Sequence, residues 1–368
     1  MGVFKDRSKL LPSYVPAVLL HREAEVSFLL SVLADGSGGA FIHGIEGVGK
    51  TAVARSVILR LGAGVRRVYV DGSVRDTPHL LALAVGDALG VNVPYSKFSI
   101  RATMSRLRDA LRDFRARYVV VVDGVDSLAR KRGGVEVLCG LAELGAEFGQ
   151  LYFVAASRAS YPRLARCFAG PAVQLKPYDA TQLRDIVEAR AREAFADGAI
   201  GAGALDRCVE LASRERGNAR LAVDLLRVAG DIAERDRVRV VGESHVERAW
   251  EEIRRWSALS TVSLLPLQSK AVLLALLKAT GWGSRSATTG EVYKEYRSLA
   301  RELGIEAVTL RRVSGVVAEL ERERVVDGRI INRGRYGRSR HVRLAVDPGE
   351  LARVLAEDLD LGVLDAMG

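Results

Sequence analysis

AFIHGIEGVGKTAVARSVILRL, Ala40 to Leu61, is the stretch that decides the fold. Its centre, Gly44 to Thr51, fits the spacing GxxxxGK[ST]. A glycine turn beside an incidental lysine would also satisfy that spacing. Here an apolar strand candidate (AFIH) precedes it, and apolar residues at helical spacing (TAVARSVILRL) follow it, which is the context a phosphate-binding loop requires. The chemistry explains the residue types. Gly44, Gly47 and Gly49 let backbone N–H groups come close to phosphate oxygens at the positive end of a helix, with Ile45, Glu46 and Val48 completing the loop. Lys50 reaches the β- and γ-phosphates, and the Thr51 hydroxyl suits a magnesium ion. The expected cofactors are ATP or ADP with magnesium.

Working outward, RRVYVD (66–71), YVVVVD (118–123) and LYFVAAS (151–157) are further strand candidates, each followed by a helical stretch. That alternation predicts a parallel sheet wrapped by helices. A sheet carrying a phosphate loop needs an acid on a neighbouring strand to hold the magnesium shell, and Asp123 fits that role; the other reading is a structural Asp at a strand end. In nucleotide-hydrolysing enzymes a Glu normally follows to activate water. This chain has Gly124 there, with no side chain to orient water. Asp126 reads as shaping the next turn or helix cap, with a substitute base as the alternative.

The chain has 368 residues, 48% of them hydrophobic, which suits two or three globular domains. No apolar run reaches the ~20 residues of a membrane helix, and the N-terminus lacks the pattern of a signal peptide. A cytoplasmic, nucleoid-associated protein with no membrane partner is expected. Cys139, Cys167 and Cys208 are too far apart for a zinc cluster, and read as buried small hydrophobes rather than a disulfide framework. The formal charge is +10, carried mostly by Arg, whose planar fork suits phosphate. The charge is clustered: Thr309 to Arg343 holds ten Arg against four acids, and Lys97 to Arg117 seven bases against two acids.

At Pro177 the texture turns helical. Asp179 with Gln182 forms a capping box, and Leu183, Ile186, Val187, Ala191 and Ala194 follow at helical spacing. The expected divisions are 1–174 for the nucleotide-binding base, 175–256 for an all-helical lid and 257–368 for a third domain. In that third domain LPLQSKAVLLALLKA, TGEVYKEYRSLARELG (from an N-cap at Thr289) and AVTLRRVSGVVAELERE read as helices. Two strands around a Gly/Arg-rich turn follow, as in the winged-helix variant of helix-turn-helix. Leu310, Val313, Val317 and Leu320 form the predicted core stripe, leaving Arg311, Arg312 and Gly315 on an open face that suits a major groove. Arg333, Arg335, Arg338 and Arg340, with Tyr336, would flank a minor groove or the backbone of duplex DNA. The alternative is a solvated basic hairpin.

HREAEVSFLLSVL (21–33), the phosphate loop, GNARLAVDLLRVAGDIAER (217–235), TGEVYKEYRSLARELG (289–304) and RGRYGRSRHVRL (333–344) occur in an order and spacing that resemble the archaeal origin-recognition initiators. The resemblance covers nearly the whole chain. It implies an AAA+ ATPase base, a helical lid and a winged-helix domain. It also implies binding to duplex origin DNA beside paralogous initiators, and recruitment of the replicative helicase. On this resemblance Arg220 is sensor 2, the lid arginine facing the γ-phosphate, and Arg163 in YPRLARCF is an arginine finger acting on a neighbouring subunit. VNVPYSKFSI (91–100), with Lys97, falls where the family inserts a DNA-touching element; the other reading is a loop with Phe98 in the core. Two positions depart from the family. Gly124 stands for the catalytic Glu, and Ser157-Arg158 stands where a sensor Asn normally follows Ser. The expected site binds nucleotide far better than it hydrolyses it. The rival readings are a competent switch ATPase, with Asp126 or a partner's residue as base, and a nucleotide-gated transcription regulator.

Overall fold

The computed structural model describes residues 2–34, 39–75, 77–91, 100–112, 117–148, 151–158, 161–168, 171–332 and 338–359. Lys97, Phe98, Arg333, Arg335 and Tyr336 lie outside the described residues. The chain divides into two compact units, Met1–Glu247 and Arg248–Gly368.

In the first unit, five parallel strands β1 (Gly39–His43), β2 (Val65–Asp71), β3 (Arg117–Asp123), β4 (Leu151–Ser157) and β5 (Ala172–Gln174) align in the order β2-β3-β4-β1-β5. The first four are the strands the sequence predicts. β5, only three residues long, carries too little pattern to be read. Val119 to Val122 are all at most 2% exposed, as befits a strand covered on both faces. Side chains alternate across the pleat, so the four valines serve two cores. Val120 and Val122 join Val68 and Val70 beneath α3 (Pro78–Ala88), α4 (Ile100–Leu111) and α6 (Gly134–Phe148). Val119 and Val121 join Ala40 and Ile42 beneath α1 (Glu23–Ala34) and α2 (Lys50–Arg60). Between β3 and α6 lies the short α5 (Asp126–Ala129), and α7 (Pro162–Cys167) follows β4.

A disulfide joins Cys139 on α6 to Cys167 at the end of α7. This corrects the reading of all three cysteines as buried small hydrophobes. The partners are 28 residues apart, and only the packing of α7 on α6 brings them together. Cys208 alone fits the expectation: it is buried, and burial pushes its thiol up to about 12. Closing a loop of this length is worth about 3–4 kcal/mol in the chain-entropy account. Reduction is therefore expected to lower the thermal midpoint of the first unit by roughly 5–10 °C, as calorimetry with and without reductant would read. Alkylation of the native protein should spare Cys208 throughout, and equal midpoints in both conditions would mean that the bridge is not formed in solution.

The same unit holds the helices α8 (Ala180–Ala194), α9 (Ala202–Arg214) and α10 (Ala219–Arg235). Asp179 and Gln182 cap α8 reciprocally, as the sequence predicts. Val3–Leu10, numerically part of the first expected segment, packs on these helices instead. The Phe4 and Phe195 rings stand 4.8 Å apart, Arg7 makes a forked pair with Asp231 (2.6 and 2.7 Å), and Lys5 N donates to Ala194 O.

The second unit contains α12 (Leu267–Ala279), β6 (Ala287–Thr288), α13 (Thr289–Glu302), α14 (Leu310–Arg322), β7 (Val326–Asn332), β8 (Arg338–Leu344) and α15 (Pro348–Leu359). Its antiparallel sheet runs β6-β8-β7, giving the predicted winged-helix arrangement of three helices and a two-stranded wing. Buried Tyr296 ties it together: its hydroxyl donates to Gln268 Oε1 (2.5 Å) and accepts from Val308 N (3.0 Å). Two local expectations are corrected. The cap of α13 is Thr288, not Thr289, because Thr288 and Glu291 close the reciprocal box. In α14, Leu310 is 45% exposed and Val316 takes its place beside Val313, Val317 and Leu320 in the core. Leu310 is the first residue of its helix and overhangs the core. The preceding helix, α11 (Glu243–Ser263), is continuous across residue 256, where the sequence reading divides lid from winged helix.

Candidate nucleotide site and nucleic-acid interface

The phosphate loop leaves β1 at the carboxyl edge of the sheet, beside β4, where Gly44 N donates to Ser157 O (3.2 Å). Ligands of open parallel sheets bind at such edges. Gly47 is required twice over. Its φ of +80° is left-handed, and a Cβ there would lie 1.9 Å from Asn218 Oδ1. Asn218 caps α10 by accepting from Leu221 N (3.0 Å), and Ala219 N donates to Gly47 O (3.1 Å). The GNAR segment is thus seated directly on the loop. Lys50 Nζ donates to Gly44 O (2.8 Å) and Ile45 O (2.6 Å), and burial holds its ammonium below the usual lysine range.

Thr51 Oγ1 donates to Asp123 Oδ2 at 2.6 Å, and the Tyr69 hydroxyl donates to the same oxygen at 2.8 Å. The hydroxyl and carboxylate thus stand together as hard oxygen donors, a set that fits magnesium. Burial, with the Asp123 charge beside it, pushes Tyr69 up to about 12, so its hydroxyl remains a donor at all working pH. Behind the loop lies Arg22, only 4% exposed, stacked on the Tyr178 ring at 4.0 Å. Its guanidinium donates to Val48 O (3.2 Å), Lys176 O (2.5 Å) and His21 O (3.1 Å), fixing the loop backbone from the core side.

These groups border a cavity of about 450 Å³, within the range of small-ligand sites. Glu46, Gly47, Gly49, Lys50 and Thr51 line it, as do Asp123, Gly124 and Asp126. Gly44, Ile45 and Val48 do not line it; Val48 is fully buried and serves through its carbonyl. Tyr14 and Val15 line it too, with Ile186 from α8 and Val223 from α10. Arg220 lines the cavity from the second position of α10 and pairs with Asp224 at 3.8 Å. Burial holds the Asp224 carboxyl above the usual carboxylate range.

Asp126 does not cap its own helix; Val125 occupies that position. Its 9%-exposed carboxylate instead accepts from Ser157 Oγ (2.9 Å) and Arg158 N (2.8 Å), capping the end of β4. Both oxygens face that strand end, which disfavours a substitute base. Arg163 projects from α7 with 75% of its side chain exposed, pairs with Glu136 (3.2 Å), and does not line the cavity. The sequence reading missed Arg22, Tyr69, Tyr178 and the wall around Tyr14. Arg22 sits in the quoted HREAEV stretch, but nothing in a charged residue before a helix announces burial.

In the second unit, Arg311 and Arg312 are exposed at the start of α14, as expected, and Gly315 is half-buried. Arg312 also pairs with Glu319 at 3.3 Å. Arg340 on β8 is tied to Glu321 of α14, which also accepts from Gly328 N (3.2 Å). The wing is thereby braced to the helix, and Arg340 is less available than the sequence suggests. Arg338 begins β8, opposite Asn332.

Three family profiles match this chain: "AAA domain" over residues 34–151, "Cdc6 AAA+ ATPase-type lid domain" over 184–251, and "CDC6, C terminal winged helix domain" over 260–354. The chain is 40% identical to ORC1-type DNA replication protein 1 of Aeropyrum pernix, covering 97% of this chain and 95% of that protein. It is 34% identical to ORC1-type DNA replication protein 1 of Sulfurisphaera tokodaii, over 96% and 93% of the two chains. Among solved structures it resembles Aeropyrum pernix ORC1 in complex with DNA, with a TM-score of 0.82 at 39% identity over 100% and 99% of the chains. The likeness to Cdc6p of Pyrobaculum aerophilum, with a TM-score of 0.61 at 20% identity over 97% and 100% of the chains, extends to the fold.

Proposed function

Since this chain belongs to the ORC1/Cdc6 family of DNA replication initiators, we propose that it binds ATP or ADP with magnesium in the base–lid cavity and grips duplex origin DNA with its winged helix. The observation that carries the nucleotide half is the convergence of Lys50, the Thr51–Asp123 pair and Arg220 on one cavity. The DNA half rests on the exposed arginines of α14 and on the relative whose structure was solved with DNA. Lys50 and the loop amides hold phosphate, and Thr51 with Asp123 holds the metal shell. Magnesium, when bound, neutralises phosphate charge. Base, lid and winged helix correspond to residues 1–174, 175–256 and 257–368 in this reading. Arg163 waits for a neighbouring initiator, and the DNA-bound assembly recruits the replicative helicase at the nucleoid. Mass analysis of purified protein should find retained adenine nucleotide, and genome-wide binding should find few, origin-like loci. Occupancy of many promoters would favour the transcription-regulator reading instead.

Hydrolysis in this reading is slow or undetectable, since a positioned base is worth roughly 10²–10⁴-fold. Restoring the side chain alone is not expected to recover that factor. Gly124 has φ +74°, left-handed backbone that a glutamate adopts only at a cost of about 1–2 kcal/mol, and a Cβ there points toward Ser73 at 3.6 Å. Gly124→Glu should therefore melt lower than wild type and gain less than roughly 10-fold in turnover, well short of a positioned base. A phosphate-release assay reads both proteins. Robust wild-type turnover that Asp126→Ala abolishes would overturn this and favour the substitute base.

A further inference from the structure

We propose that Asp71, the acid that ends β2, is the catalytic base of this site and takes the place of the side chain missing at Gly124. The slow hydrolysis of the site then runs through Asp71. The inference rests on the reading of the cavity as a nucleotide site and assigns the group that activates water there.

The strand register sets this carboxylate beside the one proposed for the metal shell. Asp71 pairs with Asp123 across β2 and β3, and Tyr69 pairs with Val121 two residues earlier. Partners in register leave the sheet on the same face, with neighbouring strands about 4.8 Å apart. That face is the one toward Thr51, since the Thr51 and Tyr69 hydroxyls both donate to Asp123 Oδ2. Asp71 is exposed, and it lines the cavity with Lys50, Thr51 and Asp123. The turn after β2 also lies where a side chain at 124 would enter. Gly72 N donates to Asp123 O (2.7 Å), which lays the turn against the end of β3. A Cβ at Gly124 would stand 3.6 Å from Ser73 N, and that same amide donates to Asp71 Oδ1 at 2.9 Å. One amide thus stands between the carboxylate that is present and the point from which a glutamate would start.

The hydrogen bonds divide the work among the three acids of the cavity. The Ser73 hydroxyl joins its amide on Asp71 Oδ1 at 2.5 Å, so that oxygen is fixed by two donors. Among the described residues no donor or cation engages Asp71 Oδ2, which can accept from a water. Asp123 is tied to Thr51 and Tyr69, and Asp126 has both oxygens taken up at the end of β4. In the step so assigned, the water oxygen bonds to the terminal phosphorus while the bond from that phosphorus to the bridging oxygen breaks. One water proton passes to Asp71 Oδ2, and the bridging oxygen leaves on ADP with the electron pair. Asp71, being exposed, then returns the proton to solvent. An aspartate is one methylene shorter than a glutamate and comes here from the neighbouring strand, which keeps turnover slow.

Phosphate release would be followed in wild type, Asp71→Asn and Ser73→Ala under single turnover, with protein in excess over ATP and magnesium present. Calorimetry would read their affinities for ADP and for the β,γ-imido analogue of ATP. Asn keeps the size of Asp and an acceptor for the Ser73 amide, but it takes no proton. Asp71→Asn should therefore slow release by roughly 100-fold, the low end of what a positioned base contributes. Both affinities should move by less than about 3-fold, and the magnesium requirement should hold. Ser73→Ala removes one of the two anchors of Oδ1 and should slow release by roughly 3–10-fold. A loss of less than about 10-fold in Asp71→Asn, or no release from wild type at all, would overturn the assignment. So would a loss that excess magnesium restores, which would make Asp71 a metal-shell group, or an equal loss of affinity, which would make it a binding group. A wild type that binds neither ligand, or a Lys50→Ala variant that binds both as well as wild type, would instead remove the nucleotide-site reading beneath it.

Discussion

Lys50→Ala is expected to lower the affinity for ATP and ADP by roughly 100–1,000-fold, enough to strip the purified protein of nucleotide. Lys50 is half-buried, with its ammonium held over the loop by Gly44 O and Ile45 O. A unit charge 4 Å from a phosphate oxygen contributes about 4 kcal/mol at the effective dielectric of such a site. The truncation also unties two carbonyls that shape the loop, so the backbone amides lose part of their preorganisation. Titration calorimetry, with mass analysis of the protein as purified, reads the loss. The fold should survive, because the buried residues of α2 are Val53, Ala54, Ser56 and Val57, not Lys50. A variant that retains nucleotide at wild-type stoichiometry would show that the cavity binds something else.

Raising salt from 50 to 200 mM should weaken duplex binding about 10³–10⁵-fold if six to ten phosphates are neutralised. Within that total the arginines divide their work, and the structure changes which substitutions are informative. Arg311 stands exposed at the rigid start of α14, so Arg311→Ala should cost roughly 1–3 kcal/mol on a preferred site and much less on scrambled DNA. Arg312 already shares its charge with Glu319 and should show a smaller effect. At the start of β8, Arg338→Ala should weaken all duplexes and lower the salt slope by about one. Arg340→Ala is the poor choice: it leaves Glu321 without its cation and loosens the brace between wing and helix. Fluorescence anisotropy on an origin fragment and a scrambled one, across a salt series, separates these terms. If Arg311→Ala weakens both fragments equally, the helix grips backbone only and specificity comes from DNA shape.

What the sequence made legible was whatever leaves a local pattern. The four long strands, the capping box at Asp179, the phosphate loop and the winged-helix order all rest on periodicity or fixed spacing, and the structure has them. What it hid depends on distant packing. The Cys139–Cys167 bridge exists because α7 lies on α6, and Arg22 is buried because Lys176 and Val48 turn their carbonyls toward it. Leu310 shares the helical spacing of Val313 and Val317, yet it is the first residue of its helix and 45% exposed, so periodicity predicted a core residue that the structure exposes. Gly124 was legible as a missing side chain; that its backbone is also left-handed was not.

The path of the first residues has a dynamic consequence. Val3–Leu10 is stitched to α8 and α10, while Arg22 is stitched to the phosphate loop. The chain between them, which walls the cavity at Tyr14 and Val15, is therefore held at both ends. Displacing that wall means local unfolding across several attachments, not swinging a free flap. Amide hydrogens around it should exchange with solvent in step with those of the lid helices, as one cooperative opening unit. The residence time of a nucleotide would then follow the frequency of that opening, and tightening the phosphate contacts further would do little to lengthen it.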